Sequence, residues 1–216
     1  MTYTKEQIAA ALDLAVLKPT ATRRDVAAAA KLVQQENIAT VCVAPCNVKL
    51  AKRFTDRVCA VIGFPHGNTT PEVKRYEARQ AIAHGAIELD VVCNYGRFIN
   101  GKNRDDWLGI GVGYAHDRGV LVKAILEISY LTLPEIINLS EVCIRERVDF
   151  LKTSTGFGLG GATPEAVRAM VKRAAGRVGV KASGGIKTYA DAARYLDLGC
   201  TRIGSSVYKE LLPCER

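Results

Sequence analysis

DFLKTSTGFGLGG, Asp149 to Gly161, begins as an apolar strand, ends that strand on a lysine, and then breaks into hydroxyl residues and glycines. Phe150 and Leu151 have the pattern of a buried strand, whereas Thr153, Ser154, Thr155 and Gly156 form a loop in which backbone can approach a ligand closely. Lys152 therefore falls where a parallel barrel or open sheet presents a side chain at the mouth of its core. Burial drives such an amine toward its neutral, nucleophilic form. A strand-end lysine can equally snorkel to solvent, and the segment alone leaves both readings open.

Working outward, the same sentence of strand, loop and helix recurs. After the central stretch come a helix starting near Thr163-Pro164, a strand over Val178 to Ala182 (VGVKA), the loop Ser183-Gly184-Gly185-Ile186 and a helix from about Thr188. Thr201 to Ile203 and Gly204-Ser205-Ser206 then lead into a short final helix. Before the central stretch, Val120 to Glu127 precedes a helix over Thr132 to Arg147, with Pro134 tolerated in its first turn. Ala86 to Val92 precedes an irregular segment and a helix from about Arg104 to Arg118. Val58 to Phe64 precedes a helix from Thr70 to His84, Ala39 to Ala44 one from about Asn47, and Leu12 to Leu17 one from Thr22 through Asn37. In front lies a short amphipathic helix, Thr4 to Leu12, with Thr4 and Gln7 spaced as a capping box.

About eight such alternations nearly exhaust 216 residues, which predicts a single (β/α)8 TIM barrel with a short N-terminal helix, one domain over residues 1–216. A doubly wound sheet of five or six strands leaves units over. Neither a linker nor a short repeat marks an internal boundary.

Composition narrows the function. Hydrophobic residues make up 48% of the chain, but no apolar run approaches the ~20 residues of a membrane helix, so no membrane partner is expected. Glu6 in the opening residues, without a basic region feeding an apolar one, predicts no secretory leader and a cytoplasmic location. The seven cysteines, Cys42, Cys46, Cys59, Cys93, Cys143, Cys200 and Cys214, are scattered through apolar stretches and read as reduced thiols packed in the core. Cys42 and Cys46 stand four apart with no further ligands to complete a zinc site, so neither metal nor other cofactor is expected. The net charge of +8 is spread over Lys52 to Arg57, Lys74 to Arg79, Arg145 to Arg147 and Lys172 to Arg177, read as solvated helix faces without interleaved aromatics. That excludes a nucleic-acid surface and leaves a positive field suited to anionic small molecules.

Charges inside apolar strands are few. Glu88, Asp90, Lys123, Glu127, Lys152 and Lys181 interrupt the patterns of consecutive units. Glu88, Lys123 and Glu127 are expected to form a structural ion network, because buried charges require partners. Asp90, Lys152 and Lys181 are the candidates for catalysis: two lysines on neighbouring strands lower the pKa of at least one, and a carboxylate shuttles protons. These are the parts of Schiff-base carbon–carbon chemistry without a metal, although spacing does not say which lysine attacks. Independently, Gly184-Gly185 and Gly204-Ser205-Ser206 place free N–H groups and helix N-termini where barrel enzymes hold phosphate.

The ordered series VCVAPCNV (Val41 to Val48), VIGFPHG (Val61 to Gly67), ELDVV (Glu88 to Val92), DFLKTSTGF (Asp149 to Phe157), GAT (Gly161 to Thr163), VKASGGI (Val180 to Ile186) and TRIGSS (Thr201 to Ser206) resembles the deoxyribose-phosphate aldolase family over nearly the whole chain. The resemblance implies a class I aldolase cleaving 2-deoxy-D-ribose 5-phosphate reversibly to D-glyceraldehyde 3-phosphate and acetaldehyde. It implies Lys152 as the Schiff-base lysine, Lys181 as its pKa-lowering neighbour and Asp90 as the proton-relay carboxylate. Gly156, Gly184, Gly185, Gly204 and Ser206 match the phosphate-binding region, and a homo-oligomer, a dimer, is expected. A sugar-phosphate isomerase working through Asp90, or a non-catalytic sugar-phosphate binder, are the competing readings of the same barrel.

Four positions depart from the family pattern. Leu14 and Ala15 stand in an early motif that often reads Asp-His-Thr, Phe157 replaces a phosphate-facing lysine of some relatives, and Val207 replaces a second serine. The chain also ends at LLPCER without a terminal tyrosine. Cys42, at the end of its strand, is expected near the barrel mouth and open to reactive aldehydes, with a small buried core residue as the alternative.

Overall fold

Parallel strands covered on both faces read as nearly continuous apolar runs, and this is the pattern that closes on itself here. The computed structural model describes residues 2–101 and 108–213. In chain order the elements are α1 (Lys5–Ala11), β1 (Leu12–Val16), α2 (Arg23–Gln35), β2 (Thr40–Val43), α3 (Val48–Lys52), β3 (Val58–Ile62), α4 (Pro71–Ala83) and β4 (Glu88–Val92). They continue with α5 (Tyr95–Ile99), α6 (Val112–His116), β5 (Leu121–Ile125), α7 (Leu133–Arg145), β6 (Phe150–Lys152), α8 (Pro164–Ala174), β7 (Gly179–Ser183), α9 (Tyr189–Asp197) and β8 (Arg202–Ser205). The strands form a closed barrel in the order β1 to β8, each parallel to its neighbours, with β8 returning to β1.

Helix starts follow from local chemistry. Thr4, Thr22, Thr132 and Thr188 cap α1, α2, α7 and α9, each with an acidic or amide residue three positions on completing a capping box. Two expectations shift at the fourth unit. The irregular segment after β4 contains the short helix α5, opened by the Asn94 side chain accepting from Arg97 N–H. Of the helix expected over Arg104 to Arg118, only α6 is seen, and its proposed start lies outside the described residues.

Strand periodicity sorts the side chains into two layers. Leu12, Leu14, Val41, Val43, Val58, Ala60, Leu89, Val91, Val122, Ala124, Leu151, Val180 and Ile203 face the helices and form the main core with them. Residues of the other parity, including Asp13, Thr40, Cys42, Cys59, Asp90, Lys123, Lys152 and Lys181, are buried around the barrel axis. The barrel therefore keeps its apolar core outside the ring of strands and a largely ionic one within it.

Two surface assignments are corrected. Lys74, expected on a solvated face of α4, is buried, and its Nζ donates to the Val92 carbonyl at 2.7 Å. Cys46, expected in the core, is exposed on the turn after β2. The other described cysteines are free and buried, while Cys214 lies outside the described residues.

Candidate active site

The register of neighbouring strands places Lys152 directly beside Lys181 and Asp90 directly beside Lys123. Asp90 is fully buried and gathers three ammonium groups: Lys123 Nζ donates to Oδ1 at 2.7 Å, while Lys152 and Lys181 donate to Oδ2 at 2.7 and 2.6 Å. Burial pushes this carboxyl up, but the three lysines outweigh it and hold Asp90 well below the usual carboxylate range.

Asp13, on β1, completes the cluster. It accepts from Lys181 and Arg202 at 2.5 Å each and from the Thr40 hydroxyl at 2.7 Å, and lies 3.4 Å from Lys123. Burial and three surrounding cations again oppose each other, and the cations win, so Asp13 too is held below its ordinary range. Sequence reasoning passed over Asp13 and Arg202, although a charge inside an apolar strand marks both, as it marks Glu88.

Two carboxylates, Asp13 and Asp90, set the charge of Lys181. Burial lowers its pKa, but Asp13 and Asp90 raise it further than burial lowers it, so Lys181 is held as a cation. Mutual repulsion of two lysines is overridden here by two carboxylates. Among the described residues, Lys152 has a single carboxylate contact, with Asp90, where Lys181 has two and Lys123 three. Neutralising Lys152 therefore sacrifices the least ion pairing of the three.

Below this level Glu88 closes the network, with both oxygens on Arg202 at 3.0 and 3.1 Å and one on Lys123 at 2.5 Å. Glu88 and Lys123 are thus structural ion partners, as expected. Glu127 is not: it lies beyond the end of β5, and its Oε2 accepts from the Thr155 N–H and hydroxyl instead of from a cation.

Lys152 and Lys181 open upward into a cavity of about 1000 Å³. Gly156, Gly184, Gly185, Gly204 and Ser206 all line it, as do Lys18 and Lys187. The loops after β6 and β7 are pressed together there. A Cβ on Gly161 would lie 2.1 Å from the Gly184 carbonyl oxygen, and Gly184 itself has φ +89°, so both positions demand glycine. The four departures also reach this cavity: Leu14, Ala15, Phe157 and Val207 line it, with Phe157 packed edge-on against Phe64 at 5.2 Å.

Among the described residues, Cys42, Cys59 and Asp90 bring potential metal-ligand atoms within 4.8 Å of one another. The set does not fit a divalent cation, because both Asp90 oxygens already hold lysine ammonium groups that would repel it. No described helix is long and apolar enough to cross a membrane.

Comparison with known proteins agrees with this geometry. Residues 7–204 match the family described as DeoC/LacD family aldolase. The deoxyribose-phosphate aldolase of Thermococcus gammatolerans is 44% identical over 209 residues, covering 92% of each chain. Among solved structures, an aldolase called QR15 is 37% identical with a TM-score of 0.86, covering 92% of this chain and 91% of its own. The deoxyribose phosphate aldolase of Aeropyrum pernix, described as tetrameric, is 30% identical with a TM-score of 0.84 over 96% of this chain and 90% of its own. A match that runs through every strand bearing the ionic cluster places the chain in one lineage: it belongs to the DeoC/LacD aldolase family.

Proposed function

We propose that this chain, read as one domain over residues 1–216, is a class I deoxyribose-phosphate aldolase that works through an imine on Lys152. The observation that carries the reading is the pairing of Lys152 with a cationic Lys181 on one Asp90 oxygen, at the floor of a glycine-lined cavity.

The neutral Lys152 amine attacks the C1 aldehyde of open-chain 2-deoxyribose 5-phosphate, and loss of water leaves an iminium. That cation draws the C2–C3 bonding electrons toward nitrogen as the C3 hydroxyl gives up its proton to a water that passes one on to Asp90, so glyceraldehyde 3-phosphate departs and an enamine remains. Protonation at C2 and hydrolysis release acetaldehyde and restore the amine. In this scheme Lys181 is the positive neighbour that disfavours a second charge on Lys152. Asp90, ionised between steps, holds the Lys152 amine and the Lys181 ammonium and hands protons between Lys181 and a water by taking one up transiently. Gly156, Gly184, Gly185, Gly204 and Ser206 hold the phosphate with backbone N–H groups and a hydroxyl, within the field of Lys18 and Lys187.

The test is acetaldehyde release from deoxyribose 5-phosphate, with and without a chelator, followed by borohydride in the presence of acetaldehyde. Chelator-resistant release and a reduced adduct on Lys152 are expected. Turnover that survives borohydride with substrate would mean isomerase chemistry, and binding without release a non-catalytic binder. A cytoplasmic homo-oligomer, a dimer, completes the reading, and sedimentation velocity distinguishes it from the tetrameric state described for the Aeropyrum protein.

A further inference from the structure

Glu127 is a buried carboxyl that the scheme above leaves idle. Its backbone has φ 58° and ψ 63°, the left-handed region that side-chain-bearing residues seldom adopt. The other described non-glycine residues with positive φ, Asn37, Arg147 and Ala175, follow or end helices, where that conformation is ordinary. Glu127 alone among them follows a strand. The unusual backbone turns the carboxyl toward the loop after β6, not toward solvent.

Its hydrogen bonding is spent on one residue. Oε2 accepts from the Thr155 N–H at 3.1 Å and from the Thr155 hydroxyl, while Oε1 is buried beside the Gly158 backbone with no hydrogen-bond partner among the described residues. The Thr155 hydroxyl has one proton and two lone pairs. Its proton goes to Glu127, and one lone pair accepts from the Phe157 N–H at 3.0 Å. Thr155 lines the cavity together with Lys152, so what remains for a ligand is one acceptor site.

We propose that Glu127 is a positioning residue that fixes the polarity of Thr155, so that Thr155 accepts a hydrogen bond from a substrate hydroxyl and selects hydroxylated over plain aldehydes. Burial, which pushes the Glu127 carboxyl above its ordinary range, is consistent with a group held for orientation and not for ion pairing. A leucine at this position has no acceptor for the Thr155 proton and frees it, whereas a glutamine keeps its carbonyl oxygen toward both Thr155 donors and preserves the polarity.

The inference rests on the aldolase reading, so the experiment compares two reactions of one protein. The first is kcat/KM for deoxyribose 5-phosphate cleavage, whose substrate carries hydroxyls. The second is the rate of borohydride-trapped imine formation with acetaldehyde, which carries none. In Glu127→Leu the first is expected to fall about 10-fold further than the second, the scale of one lost hydrogen bond, while Glu127→Gln keeps the ratio of the two. Thr155→Val is expected to show the same selective loss, Thr155→Ser to retain the selectivity, and Glu127→Leu/Thr155→Val to lose no more than Thr155→Val alone. Equal falls in both reactions, or additive losses in the double variant, overturn the proposal. If Glu127→Leu does not fold, the Thr155→Val and Thr155→Ser pair carries the test, and an unselective Thr155→Val overturns it. Absence of any imine in the unaltered protein would instead refute the aldolase reading.

Discussion

Lys152 and Lys181 stand side by side in the β6 and β7 register and donate to the same oxygen of Asp90, at 2.7 and 2.6 Å. One carboxylate oxygen thus holds the two amines together, while Asp13 supplies Lys181 with a second anion that Lys152 lacks. The asymmetry between chemically identical side chains lies in that extra contact.

Lys152→Ala is expected to abolish borohydride trapping with acetaldehyde and to lower turnover at least about 10³-fold, since no other described amine faces the cavity floor with a single carboxylate contact. Peptide mapping of the reduced adduct checks it. An adduct of undiminished yield in the variant would remove Lys152 from its role.

Glu88→Ala strips Arg202 of a two-point partner and Lys123 of its nearest carboxylate. Breaking a buried pair from one side typically costs about 3–5 kcal/mol, because a charge is left behind. Urea denaturation is expected to show a loss of that size.

Acid should act through Asp13 and Asp90. Both carboxyls are depressed in the folded protein, so their contribution is complete above the unfolded pKa of about 4 and is lost as pH falls toward their folded values. Lys123 and Lys181 are raised, so their contribution is complete below about 10.4 and is lost only at higher pH. Thermal unfolding temperatures followed from pH 3 to 8 are expected to level off above about 5 and drop below about 4. A rise in stability on acidification from 5 to 3 would contradict the ionic core.

Gly184→Ala introduces a Cβ 2.7 Å from the Gly161 Cα at a left-handed position. The two loops must separate, which loosens the phosphate cradle. KM for deoxyribose 5-phosphate is expected to rise about 10-fold, with a smaller change for free deoxyribose, a difference that steady-state kinetics on both sugars measures. A parallel rise for both would place the phosphate elsewhere.

Cys42 lies at the cavity wall, where a hydrogen bond from Cys59 lowers its thiol pKa against the opposing effect of burial. Burial raises Cys59, pairing with Cys93 raises Cys143, and burial takes Cys200 up to about 12. An α,β-unsaturated aldehyde is therefore expected to modify Cys42, alongside the exposed Cys46, before these three. Mass spectrometry that finds Cys42 untouched while Cys59 or Cys143 reacts would reverse the order.

Most of the scaffold was legible in the chain because its determinants are local. The period of two in VCVA and ELDVV, and a threonine three residues before a carboxylate or amide, act within a few residues and need no knowledge of the rest. Strand and helix count, barrel closure and the inward placement of Asp90, Lys152 and Lys181 follow from such signals. The ionic partnerships do not. Asp13 meets Lys181 across 168 residues of chain, so the cation state of Lys181 is decided only when β1 closes against β8. Lys74 and Glu127 likewise took their surroundings from neighbours supplied by other units. Periodicity along the chain determined which side chains enter the barrel, whereas charge state depends on distances through space, and those exist only once the ring is shut.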